Sequence, residues 1–341
     1  MSVEFGECWS LVNLYNITDG DNWFDNSNWG TANVDSWYGV TAVGIPPANV
    51  WFLNLSSNNL NGIIPNNLGE LSQLIILNLS DNDLYSYIPP EFGNLSELEI
   101  LVLGDNHLDG QVPNSLANLS KLEVLQLQNN QLTGTIMNTV TGMGALTDLW
   151  VDNNKFIEAI PESIGLLQSL EYFSAMNVGF YGRIPTGITS LEKLEHLFLN
   201  NNELTGKMPG CMGQMAALKQ IDLSHNQLSG RLPESMGELS EFNFITLNHN
   251  DFFGPIPDSW GQMTLLQGFY LNNNRLTGMV PLGFGDMSLM NQFYLSGNDM
   301  TGGVIPDDIL SWYQQIPNKD ISPQGFTDEI FYADFDGVCS L

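Results

Sequence analysis

The sequence predicts an α/β repeat solenoid: a right-handed superhelix with a parallel β-sheet on its concave side and a cap at each end. Three observations point there. A pattern L-x-L-x-x-N-x-L returns every 24 residues, setting Asn58, Asn82, Asn106, Asn130, Asn154, Asn202, Asn226, Asn250, Asn274 and Asn298 in one register, with Val178 in the slot after Asn154. Leucines alternate just ahead of each asparagine, the period of a strand with one buried face. Both ends abandon the pattern and become aromatic, as the open apolar ends of a stacked array require. The boundaries that follow are a cap over 1–50, eleven repeats over 51–306 and a second cap over 307–341.

Each repeat reads like the one from 77 to 98: Leu77 and Leu79 point inward, Asn82 ends the strand, and Ile88, Pro89, Phe92, Gly93, Leu95 and Leu98 return the chain. The asparagine amide can satisfy backbone groups where the chain leaves the sheet, so stacked asparagines make a ladder along the array. Val178 interrupts that ladder. Either Asn177 compensates by a one-residue adjustment or the turn there is irregular. The segment x-G-x-I-P-x-x-(L/I/M)-G-x-(L/M), as in Gly62 to Leu71 or Gly230 to Leu239, resembles the plant-type leucine-rich repeat of receptor ectodomains and polygalacturonase-inhibiting proteins. The departures noted are Met137 for the usual proline, Val178 for asparagine, and an extra residue between Gly302 and Pro306.

At the N-terminus a helix is expected over Glu7 to Ile17. Five of the eight tryptophans, Trp9, Trp23, Trp29, Trp37 and Trp51, fall in the first 51 residues as large surfaces suited to plugging an end. At the C-terminus Ile309, Leu310, Trp312 and Tyr313 fit a helix, with Phe326, Ile330, Phe331, Tyr332 and Phe335 beyond. Cys8 and Cys339 would stand at opposite ends, so no intramolecular disulfide is expected.

The charge is lopsided: 38 Asp+Glu against 9 Lys+Arg, net −29. Nine basic residues spread along the chain supply no stripe for phosphate, which sets nucleic acid aside. No run of about 18 apolar residues predicts a membrane span, and residues 1 to 20 lack the form of a signal peptide. The resemblance nevertheless implies a cell-surface or extracellular setting.

Positions six, four, two and one before the ladder asparagine, and one after, are expected to line the open side of the sheet. Aromatic residues gather there from the fifth repeat onward. The candidate ligand-binding residues are Asp148, Trp150, Asp152, Tyr172, His196, Phe198, Asp222, His225, Phe244, His249, Tyr270 and Tyr294. Aromatic planes that the core does not need suggest recognition, and neighbouring carboxylates favour a basic or neutral peptide, protein or glycan. All four histidines, His107, His196, His225 and His249, are assigned to the same side. No catalytic constellation, cofactor motif or metal site is expected; His225, His249 and Asp251 have the spacing of a zinc trio, but drift at exposed positions accounts for them. The chain is thus expected to be a non-enzymatic recognition module. The alternatives are a structural component of a larger assembly and, from the resemblance alone, an inhibitor of a wall-degrading glycosidase.

Overall fold

The computed structural model describes residues 3–45, 47–300 and 307–321. The chain divides into two compact units, Met1–Phe180 and Tyr181–Leu341, each a stack of repeats.

In the first unit the main sheet runs in the order Val40–Val43, Asn49–Asn54, Ile76–Asn78, Ile100–Val102, Val124–Gln126, Asp148–Trp150 and Tyr172–Ser174. Only the outermost pair is antiparallel; the others are parallel, with a register step of 24 residues, as in Asp148↔Tyr172 and Trp150↔Ser174. The second unit continues the design with His196–Phe198, Gln220–Asp222, Phe244–Thr246, Gly268–Tyr270 and Gln292–Tyr294. The central residue of each triplet, such as Leu77, Leu101, Leu125, Leu149 and Leu197, is fully buried, while its neighbours on either side remain partly exposed in most triplets. That alternation is the leucine spine the sequence predicts.

The asparagine ladder forms with a repeating set of bonds. Asn106 donates through Nδ2 to the carbonyls of Leu79, Leu103 and Gly104, and its Oδ1 accepts from the Leu84 N–H. Each asparagine so placed ties its own turn to the preceding repeat. Asn130, Asn154, Asn226, Asn250 and Asn274 repeat the pattern. Val178 fills its slot as a buried apolar residue. Asn177 does not replace it: its φ of 54° matches Asn129 and Asn153, and its side chain donates to Asn153 Oδ1 at 3.0 Å. The register therefore passes through Val178 without an adjustment.

Five-residue 3₁₀ helices, preceded by proline at Pro65, Pro113, Pro161, Pro185, Pro233, Pro257 and Pro281, return the chain. Proline suits that entry because the first helical N–H groups have no partner within the helix. Met137 breaks this rule and a short α-helix, Met137–Val140, results. Its free N–H needs an acceptor. Glu158 supplies one, accepting from Ile136 N at 2.6 Å and Met137 N at 3.1 Å while 7% exposed. Glu158 itself stands where neighbouring repeats have glycine, as at Gly134 and Gly182, so two departures compensate each other.

A second set of short parallel strands follows the ladder asparagines, which the sequence reading did not anticipate. In the second unit it comprises Tyr181–Gly182, Glu203–Gly206, Gln227–Gly230, Asp251–Gly254 and Arg275–Leu276. In the first unit His107–Leu108 belongs to such a set, paired with Asp83–Ser86. His107 is therefore not on the open side of the main sheet; it stands 3.5 Å from Asp83.

The N-terminal helix spans Phe5–Ile17. Glu7, 4% exposed, accepts the Val50 N–H at 2.8 Å, joining the helix to the sheet edge. Tyr15, Trp23, Trp29 and Trp37 form a packed aromatic cluster with ring centroids 4.8 to 5.7 Å apart. Trp9 does not join the plug, being 60% exposed. At the other end the helix Asp307–Gln315 places Trp312 edge-on to Phe284 and Phe293, and Asn318–Asp320 pairs with Gln292–Tyr294. Phe326, Ile330, Phe331, Tyr332, Phe335, Cys339 and the extra residue near Gly302 lie outside the described residues.

Candidate ligand-recognition face

The local geometry begins with a small residue. Opposite Trp150 in the sheet register stands Ser174, whose short side chain is fully buried. Trp150 therefore meets its diagonal neighbour Tyr172, face to face, with ring centroids 4.2 Å apart and an interplanar angle of 5°. Diagonal cross-strand reach is within range of rings this large. Both rings are half-buried, so the stack presents a partly open aromatic platform.

Two carboxylates flank it. Asp148 pairs directly with Tyr172 in register and is half-buried, with its Oδ2 accepting the Thr147 hydroxyl at 2.7 Å. Asp152 is 3% exposed and accepts the Ser174 hydroxyl and the Met176 N–H, each at 2.6 Å. Asp152 thus braces the turn beneath the platform and is not on the open side. Burial raises the Asp152 carboxyl above its ordinary range, against the lowering effect of these bonds. Burial, then the charges of Asp152 and Asp148, push the Tyr172 phenol up to about 12. Burial disfavours any added charge beside these rings, and the two carboxylates make a negative charge the less favourable sign.

In the second unit the candidates fall into smaller groups. His196 and Phe198 share one strand with ring centroids 6.0 Å apart. Phe244 lies over Gly268, where a Cβ would meet the Phe244 Cδ1 at 2.3 Å. Tyr270 and Tyr294 stack at 5.0 Å and 10°, and the Tyr270 hydroxyl donates to Gln292. Burial and then Tyr294 raise the Tyr270 phenol. His225 and His249 stack at 4.2 Å and 15°. Both stand at turn positions with φ of 53° and 56°, a column otherwise held mainly by Asn and Asp, residues that tolerate the left-handed region. Burial, then His225, lower the His249 imidazole.

Asp222 accepts both the hydroxyl and the N–H of Ser224, at 2.6 and 2.9 Å. Asn54 with Ser56 and Asn78 with Ser80 make the same pair of bonds. The Asp222–Ser224 contact is thus a recurring turn brace, not an activated nucleophile. Asp251 is engaged by Arg275 at 2.7 Å, and among the described residues no three His, Cys, Asp or Glu side chains converge as metal ligands. No described helix is long and apolar enough to cross a membrane.

Comparison with known proteins agrees with this architecture. Two leucine-rich-repeat family models match, one over residues 96–156 and 184–228 and the other over 49–71 and 73–95. No curated protein matches the chain. Among solved structures, a TDR receptor is 32% identical with a TM-score of 0.76, covering 79% of this chain and 46% of the receptor. The Arabidopsis receptor kinase HAESA, solved with the peptide hormone IDA and the co-receptor SERK1, is 27% identical with a TM-score of 0.63, covering 88% of this chain and 59% of its own. A plant ice-binding protein shares the fold at 22% identity and a TM-score of 0.75, covering 90% of this chain and 98% of its own. The chain spans about half the length of the receptor chains it resembles. Repeat length, asparagine ladder, Ile-Pro return segments and these likenesses together identify the chain as a leucine-rich-repeat protein of the plant type.

Proposed function

We propose that this chain is a non-catalytic recognition module that binds an extended peptide, with a basic side chain of the ligand laid against the Trp150–Tyr172 platform. The observation that carries the reading is the half-open stack flanked by Asp148 and backed by Asp152. A guanidinium or ammonium over an aromatic face gains about 0.5–2 kcal/mol, and Asp148 supplies a carboxylate beside it. A preformed sheet adds little ordering cost on binding, so a few aromatic anchors can dominate affinity. His196, Phe198, Asp222, His225, Phe244, His249, Tyr270 and Tyr294 supply secondary contacts in this reading. The likeness to receptors solved with peptide hormones supports a peptide over a glycan and favours a cell-surface or extracellular setting.

Selection of a displayed random peptide library against the full chain tests this, with Trp150→Ala as the counter-target. The expected result is enrichment of Arg- or Lys-containing peptides that lose binding to Trp150→Ala and Tyr172→Ala. Selected peptides that bind both variants as tightly as the parent would overturn the assignment. Binding of neutral glycans at the same rings, without any basic peptide, would move it to a sugar ligand.

A further inference from the structure

Read along the chain the nine basic residues are dispersed, but folding at a 24-residue period gathers three of them. Arg183, Lys207 and Arg231 occupy the same position in successive repeats of the second unit, each just past a strand of the lateral sheet, at Tyr181–Gly182, Glu203–Gly206 and Gln227–Gly230. All three are exposed. None takes part in an ion pair among the described residues, although Lys121, Lys219 and Arg275 all do.

Their stems are held. A Cβ on Gly206 would meet the Arg183 Cγ at 3.1 Å, one on Gly230 the Lys207 Cγ at 2.7 Å, and one on Gly254 the Arg231 Cγ at 3.3 Å. Each cation therefore lies across the glycine of the following repeat, and the three form an ordered row. Equivalent positions in neighbouring strands are separated by one strand spacing plus up to two residues of stagger, roughly 5 to 8 Å. The lateral strands pair with a 22-residue step, as in Tyr181↔Glu203 and Thr205↔Gln227, so the cations stand diagonally to one another, each close enough to the next for one extended anionic ligand to bridge all three.

We infer that this row is a second docking site, separate from the aromatic platform, for a short acidic peptide segment in extended conformation. Alternate side chains of an extended chain point the same way about 6 to 7 Å apart. An Asp-x-Asp-x-Asp spacing thus matches the three cations in turn, and two arginines can each take a carboxylate bidentately. The net charge of −29 limits the ligand's length. A long polyanion would run past the row into the field of the chain's 38 Asp and Glu residues, whereas a short acidic segment stays on the cations. Tyr181 and Phe253, both close to half-exposed at the two ends of the adjoining column, offer apolar surface to residues flanking the acids.

The test is a fluorescence-anisotropy titration of the full chain with labelled Asp-Ser-Asp-Ser-Asp, at low and physiological salt. Binding should weaken as salt rises, and Arg183→Gln/Lys207→Gln/Arg231→Gln should lose about tenfold or more of the affinity, each tenfold being 1.4 kcal/mol. The isomer Asp-Asp-Asp-Ser-Ser should bind several-fold more weakly, and Asn-Ser-Asn-Ser-Asn not measurably. Trp150→Ala should leave this binding unchanged, which separates the row from the platform. Equal affinity of the parent and the triple variant, with circular dichroism showing both folded, would overturn the inference. So would dextran sulfate binding the row more tightly than the pentapeptide, which would reassign it to long polyanions.

Discussion

The stretch from 130 to 178 and the stretch from 199 to 298 obey the same repeat, yet they treat its rules differently. The later stretch keeps glycine at Gly206, Gly230, Gly254 and Gly278 and a ladder asparagine in every turn. The earlier one replaces proline with Met137, glycine with Glu158 and asparagine with Val178, and buries Asp152. Each stretch carries a stacked aromatic pair on its strands. Only the pair in the irregular stretch has carboxylates among the causes that raise its phenol: after burial, Asp152 and Asp148 act on Tyr172, whereas burial and Tyr294 act on Tyr270. Local rule-breaking collects where a protein's function is commonly found, and the contrast locates the proposed anchor at Trp150–Tyr172, ahead of Tyr270–Tyr294.

The largest effect that would sharpen this contrast is on stability. Glu158→Ala leaves the N–H groups of Ile136 and Met137 buried without acceptors, at about 1–3 kcal/mol each. The expected loss is about 3 kcal/mol by urea unfolding. Restoring the common repeat at both positions, with Glu158→Gly and Met137→Pro together, should recover most of it. A double variant no better than Glu158→Ala would show that the two departures are independent.

Binding comes next. Trp150→Ala should weaken binding of the selected basic peptide about thirtyfold, the roughly 2 kcal/mol of an interface hot spot, while Tyr270→Ala should cost less than about threefold. Trp150→Phe should retain most of the affinity, because the indole Nε1 is buried without a hydrogen-bond partner among the described residues and the face alone is used. Equal losses at Trp150 and Tyr270 would dissolve the distinction between the two stacks. Asp148→Asn should give a smaller loss, about three- to fivefold, shrinking as salt rises, since the carboxylate is only half-buried.

The array was legible because burial follows leucine spacing so strictly: the 24-residue step in Asp148↔Tyr172 is the step counted in the sequence. The strand positions that flank each buried leucine, six and four before the ladder asparagine, were legible for the same reason, whereas the column one after it, with His107, falls in the lateral strands. Three further things were not legible. Asp152 sits at a position counted as open, but a serine one repeat on draws its carboxylate into the turn, and that depends on side-chain rotamer, not on period. The pairing of Glu158 with Met137 joins residues 21 apart in sequence, close to one repeat; substitutions for Pro and Gly reveal such a pair only when read together. The row of Arg183, Lys207 and Arg231 was hidden because charge was summed along the chain, not by column.

The smallest expected effect concerns pH and isolates Asp152. Burial is the leading cause of its raised pKa, so the native state holds the proton more tightly than the unfolded chain, whose carboxyl lies near 3.8. For a carboxylate shifted in that direction the stabilising contribution is complete below the unfolded pKa and disappears as pH rises through the folded one. Asp152→Asn keeps an oxygen to accept from Ser174 and Met176 while removing the charge. Relative to the parent it should gain stability on going from acid to neutral pH, and its unfolding midpoint should vary less across the carboxylate range. The same substitution removes one of the two charges acting on Tyr172, so ultraviolet titration should show its phenol ionising at lower pH than in the parent. A stability difference that ignores pH would show that the Asp152 carboxyl has the same pKa in the folded and unfolded chain, and a Tyr172 that titrates unchanged would show that the Asp152 charge does not act on the phenol, leaving Asp148 alone to give the platform its preference for positive charge.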